Sequence, residues 1–202
     1  MSATDSANPA PYWRLSGFYL LYFATLGALI PYWGLYLRHR GFGASEIGEL
    51  VAILMATKIV APNVWGFIAD HTGRRMLIVR LASMLSLLAF CGVFLADGYW
   101  WLAAVILVFS FFWNASLPQF EATTLSYLGE HTHRYSRIRL WGSVGFIVTV
   151  ALIGPLLGRY DPGLLPWLLV GLFAGIWLFS LVVPERLADH HRVSAVSLRR
   201  TP

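Results

Sequence analysis

Apolar residues in this chain come in long blocks rather than in short alternating runs, and short polar links separate the blocks. Six blocks stand out, at residues 16–37, 45–69, 76–96, 100–128, 138–157 and 164–183. A block of about 20 apolar residues crosses a hydrocarbon core about 30 Å thick as a helix. A buried helix of a soluble protein is normally shorter and keeps a polar side. Lipid offers no hydrogen-bond partner to a bare backbone, so helices are the expected element. The pattern predicts an all-α membrane protein with six transmembrane helices.

The links are Arg38, His39 and Arg40; residues 70–75; Asp97 and Gly98; residues 130–136; and residues 159–162. None is long enough for a soluble domain. Three regions follow: an N-terminal segment 1–15, a helical bundle 16–183 and a polar, basic tail or linker 184–202. Residues 1–13 are polar and include Asp5, and the first apolar block is longer than the apolar region of a signal peptide, so it reads as a retained span. Composition agrees. The 202 residues are 57% hydrophobic and only 12% charged, about half the charged fraction of a soluble domain.

Charge sets the orientation. With a cytoplasmic N-terminus, the inner segments hold Arg14, Arg74, Arg75, Arg80, Arg134, Arg137, Arg139, Arg186, Arg192, Arg199 and Arg200, against Arg38, Arg40 and Arg159 outside. This bias predicts both termini in the cytoplasm, with Arg38 and Arg40 a local exception. The formal charge of +5 thus reads as topology. A nucleic-acid partner is disfavoured, because the bases form no single patch. The single cysteine, Cys91, forms no intrachain disulfide.

Ionisable residues inside spans are costly and ask for a reason. Lys58, the only lysine, falls near the middle of the second block. That is roughly 18 Å from either surface, beyond the reach of its stem. It faces either a water-filled cavity or a buried acid. Glu121 and Arg139 lie on the fourth and fifth spans, nine positions either side of residue 130 in the intervening link. In an antiparallel hairpin such residues share a depth, at most about 13 Å below the turn. Each is the other's natural counter-charge. The pair either holds polar solute or fixes the register of the hairpin. Pro118 frees a carbonyl in the preceding turn, and Asn114 and Gln119 add polar groups nearby. Pro31 and Gly34 weaken the first helix. The run Trp141-Gly142-Ser143-Val144-Gly145 opens the fifth span with small residues suited to close helix packing.

The link after the second span belongs to the run Gly66-Phe67-Ile68-Ala69-Asp70-His71-Thr72-Gly73-Arg74-Arg75. Its glycines permit close packing and a tight turn. Asp70 suits the positive N-terminus of a neighbouring helix. The spacing of Gly66, Asp70, Gly73, Arg74 and Arg75 resembles the loop between the second and third helices of the major facilitator superfamily. A second run, Tyr135-Ser136-Arg137-Ile138-Arg139-Leu140-Trp141-Gly142-Ser143-Val144-Gly145-Phe146, is similar to the start of the fifth helix in its phenylpropionate permease and lactose permease-like group.

The resemblance implies one half of a major-facilitator-type fold, the N-terminal bundle of a twelve-helix transporter with its site between two bundles. It implies a bacterial-type inner-membrane protein that works by alternating access with a small solute and proton coupling, partnered by a C-terminal six-helix half. In lactose permease a glutamate and an arginine at this spacing bind sugar. The resemblance therefore implies a substrate-cavity role for Glu121 and Arg139, without implying sugar. Lys58 and Asn114 join them as expected cavity residues, and Gly66, Asp70, Gly73, Arg74 and Arg75 form the expected gating loop. No cofactor or metal is called for.

Other classes fare worse. An intramembrane serine protease needs a histidine within a span, whereas His39, His71, His131, His133, His190 and His191 all lie in links or the tail. His131 with His133, or His190 with His191, makes at most a weak metal site. A voltage sensor needs arginines at three-residue spacing within a span, which Arg74, Arg75 and Arg80 lack. A truncated, non-transporting half-protein stays open as an alternative.

Overall fold

The computed structural model describes residues 11–185. The first ten residues and the basic tail from Arg186, with its arginines and histidines, lie outside the described residues. Six α-helices follow in order: α1 (Tyr12–His39), α2 (Ala44–Thr72), α3 (Arg75–Phe90), α4 (Tyr99–Leu128), α5 (Tyr135–Arg159) and α6 (Leu165–Val182). A 3-10 turn, Cys91–Phe94, extends α3, another, Gly129–Arg134, joins α4 to α5, and a third, Pro162–Leu164, precedes α6.

Among the described residues, five continuous helical stretches can cross a membrane by length and composition, and the longest, Tyr99–Arg159, spans 61 residues. That stretch holds two crossings rather than one. His131 departs from helical geometry inside it, at φ −89° and ψ 35°. Glu121 and Arg139, 18 positions apart, also touch at 3.6 Å, whereas a straight helix would hold them about 27 Å apart. The chain therefore folds back at the 3-10 turn. The expected polar link at 130–136 is itself largely helical.

The helices run past the apolar blocks. α1 begins at Tyr12 rather than at residue 16, since Tyr12, Trp13 and Arg14 continue the backbone ladder at the rim. α2 starts with the Gly43 N–H donating to the Glu46 carboxylate at 2.8 Å, an acid in the first turn where the helix dipole favours one. It stops at Gly73, whose φ of +64° suits glycine, and whose N–H closes on the Ala69 carbonyl at 2.9 Å.

Packing does not follow chain order. α1 runs along α5 and α6, α4 runs along α2 and α3, and α3 meets α6. In lipid, close approach and polar contacts drive such association more than water exclusion does. α1 and α5 meet at glycines: a Cβ on Gly145 would stand 2.2 Å from the Leu20 carbonyl oxygen, and one on Gly27 would stand 2.8 Å from that of Phe146. α1 and α4 meet through rings, with Phe18 stacked on Phe120 at 3.7 Å and Tyr22 on Trp113 at 5.1 Å. α2 and α4 share a polar knot, in which the Thr57 hydroxyl donates to Ser110 at 2.8 Å and accepts from the Asn114 amide at 3.0 Å.

The two ends differ. At the arginine-rich end, three helices grip the end of α6. Arg80 of α3 donates to the Ser180 and Val183 carbonyls at 3.3 and 2.7 Å. Arg14 of α1 reaches Val182 at 3.4 Å, and Tyr127 of α4 reaches Pro184 at 2.7 Å. Those carbonyls have no partner within their own helix. At the opposite end, Arg40 pairs with Asp97 and donates to the Tyr36 hydroxyl, and His39 meets Asp161 at 3.0 Å. The exceptional base Arg40 is thus matched by an acid from the next turn on that side.

Candidate functional site

The α4–α5 hairpin brings Glu121 and Arg139 together, with the guanidinium Nε 3.6 Å from a carboxylate oxygen. The Tyr135 hydroxyl, one turn before Arg139 on α5, donates to the same oxygen at 3.1 Å. Arg139 lies over the Phe23 ring of α1 at 3.7 Å and within 5.6 Å of the Tyr19 ring. A guanidinium gains from such faces while one side stays open. Tyr19 in turn donates to Thr124 of α4 at 3.4 Å. The charge pair therefore sits on an aromatic shelf supplied mainly by α1. Side-chain exposures of 30% for Arg139 and 35% for Glu121 leave both partly accessible.

Arg139 is held rather than loose. A Cβ on Gly142 would come within 2.8 Å of the Phe23 ring and 2.9 Å of the Arg139 guanidinium. This glycine makes room for the stack.

Lys58 is the central residue of the 29-residue α2. It is half-buried, and no acid or hydrogen-bond acceptor meets it among the described residues. Of the two sequence readings, the buried acid is absent from this set of residues. Asn114 is 6% exposed and commits its amide to Thr57. The structure does not bring it to the Glu121–Arg139 pair.

The Gly66–Arg75 run forms the end of α2 and the turn into α3. Asp70 accepts from the Arg75 guanidinium at 3.2 Å, so its partner is an arginine five positions on rather than a helix N-terminus. Arg74 lines a groove between α2 and α3 with Trp65, Ile68, Thr72, Leu77 and Leu81. Among the described residues, no hydrogen bond or ion pair joins this run to the charge pair.

Sequence reasoning missed Tyr19, Phe23 and Tyr135 as neighbours of the pair. Tyr135 was in reach, since it lies one turn from Arg139. The α1 residues were not, because nothing local shows that α1 docks beside the α4–α5 hairpin.

Comparison with known proteins adds the following. The family model described as "MFS_1 like family" matches residues 12–200. The chain is similar to a probable 3-phenylpropionic acid transporter of Escherichia coli (strain K12), at 29% identity over 71% of this chain and 38% of that protein. It is similar to the maltose permease of Geobacillus stearothermophilus, at 29% identity over 68% of this chain and 35% of that one. The chain thus spans little more than a third of the length of these curated relatives. In fold it matches a crystal structure of the nucleoside transporter NupG, with a TM-score of 0.78 at 19% identity, over 95% of this chain and 47% of that one.

Proposed function

Since this chain belongs to the MFS_1 like family of major facilitator transporters, we propose that it forms the N-terminal half of a proton-coupled solute symporter. The family's chemistry is transport and not catalysis. In this reading, residues 16–183 form one bundle of an alternating-access carrier and the segment from 184 leads toward a second. Both termini face the cytoplasm of a bacterial-type inner membrane, and the Gly66–Arg75 turn stabilises one gating state.

The observation that carries the reading is the half-open Glu121–Arg139 pair on its aromatic shelf. A purely structural pair needs only its partner and the hydrogen bonds around it, so an accessible face is no part of that role. This pair keeps about a third of each side chain accessible, beside the half-buried ring of Phe23. A solute hydroxyl or carboxyl can insert there and exchange partners with both charges.

The test is uptake in cells expressing the natural coding sequence. Glu121→Gln keeps the shape and removes the charge. It is expected to cut proton-dependent uptake by about tenfold, the worth of one charge-assisted hydrogen bond, with membrane abundance unchanged. Uptake at the wild-type level by Glu121→Gln overturns the site.

A further inference from the structure

The Glu121–Arg139 contact is looser than such pairs usually are. An arginine and a carboxylate that meet freely settle into a fork, with two parallel N–H···O bonds of about 2.7–2.9 Å. Here only Nε approaches, at 3.6 Å from Oε1. That is ion-pair contact, too long for a hydrogen bond. Among the described residues, Oε2 of Glu121 and the terminal nitrogens of Arg139 meet no hydrogen-bond partner. None of these atoms is sealed within the protein. The pair therefore keeps one acceptor oxygen and the prongs of the fork unused.

Two outside groups hold the charges in this arrangement. The Tyr135 hydroxyl donates to Oε1 at 3.1 Å, so it occupies the same oxygen that Arg139 approaches. Its ring is half-buried and packs edge to face against Tyr19 at 6.3 Å, which gives the hydroxyl a supported position. On the other side, the Phe23 ring faces the guanidinium at 3.7 Å, and Gly142 leaves the room for that stack. Tyr135 and Arg139 lie one turn apart on α5. One helix thus sets the spacing between hydroxyl and guanidinium, while the carboxylate comes from α4.

We propose that Tyr135 is a positioning residue of this site: its hydroxyl anchors the Glu121 carboxylate short of the Arg139 fork, so both charges stay available to a polar group of the solute. This deepens the transporter reading above and rests on it for its purpose. Without the hydroxyl, Oε1 loses its neutral donor. The carboxylate then turns onto the fork, where charge-assisted bonds are the stronger ones. A solute has to break that fork before it can bind.

Phenylglyoxal, which adds to accessible guanidinium groups, reads the fork without any solute. The purified chain is labelled, and Arg139 and Arg137 are followed separately by fragment-ion mass spectrometry. Arg137 is exposed and serves as the reference in every variant. Tyr135→Phe keeps the ring and removes the donor. It is expected to slow labelling of Arg139 about tenfold, as one charge-assisted hydrogen bond provides, with Arg137 unchanged. Adding Glu121→Gln is expected to restore the wild-type rate, because no carboxylate remains to close on Arg139. Para-aminophenylalanine at position 135, which returns a donor, is expected to do the same. Glu121→Gln alone is expected to leave the rate near wild type, because the fork is already open. Equal rates at Arg139 in wild type and Tyr135→Phe overturn the proposal. So does slowing that persists when Glu121→Gln is added, since lost packing then shields Arg139. A large acceleration in Glu121→Gln alone also overturns it, by showing the wild-type fork closed. Labelling as expected beside wild-type uptake by Glu121→Gln keeps the positioning and removes the solute site. Equal labelling beside lost uptake does the reverse.

Discussion

Single residues decide how closely these helices approach. Gly145 faces the Leu20 carbonyl where a Cβ would stand at 2.2 Å, whereas a Cβ on Gly48 would meet nothing within 4 Å. Gly145→Ala must therefore push α1 and α5 apart, at a cost of about 1–3 kcal/mol, while Gly48→Ala is neutral or mildly stabilising. Thermal unfolding in detergent checks both, and equal midpoints for the two variants would show that the α1–α5 seam is not tight. The same scale shows what the sequence discloses. Glu121 and Arg139 are legible as partners because equal distance from a turn means equal depth in a hairpin. The shelf beneath them is not, because Tyr19 and Phe23 lie more than 90 positions away from both in the chain. Asn114 donates an amide N–H to Thr57, a partner that its place in the chain does not announce. Periodicity reports depth and face but not which polar neighbour wins.

At the scale of the element, apolar blocks predict the helices and misjudge their ends. Backbone hydrogen bonding continues through polar rim residues such as Tyr12 and Arg14 and through the turn at 129–134, where hydropathy has already dropped. Helix ends also recruit partners that no local pattern announces. The end of α6 has no glycine cap and borrows donors from Arg14, Arg80 and Tyr127. Arg80 supplies two of those bonds. Arg80→Ala strips both carbonyls of that donor, at about 1–3 kcal/mol for each left unsatisfied. The expected result is faster amide hydrogen exchange in the last turn of α6, with α2 unaffected. Arg80→Lys, which keeps the charge but not the fork, restores part of the protection. Exchange unchanged in Arg80→Ala would mean that the grip is idle.

For the whole molecule, the proposed orientation has a direct check. With Cys91 changed to serine, the only other thiols are those introduced. Thr72→Cys, at the exposed end of α2, is expected to react with an impermeant maleimide only after the membrane is opened. Asp97→Cys, at the opposite end, is expected to react in intact cells. The reverse pattern places the arginine-rich end outside and overturns the cytoplasmic termini. The bundle also leaves apolar faces uncovered, with Ile59 of α2 73% exposed and Ile147 of α5 65% exposed. These are tolerable in lipid and equally suited to a second bundle.

The crossed packing order bears on how the protein is made. α1 finds its main neighbours in α5 and α6, and α2 finds its own in α4. The first two helices therefore leave the ribosome well before their partners exist. During that interval α2 carries Lys58 in its middle without the Thr57–Asn114 knot that later fixes it to α4. Half-made chains ending before α4 lack the main packing partners of both α1 and α2.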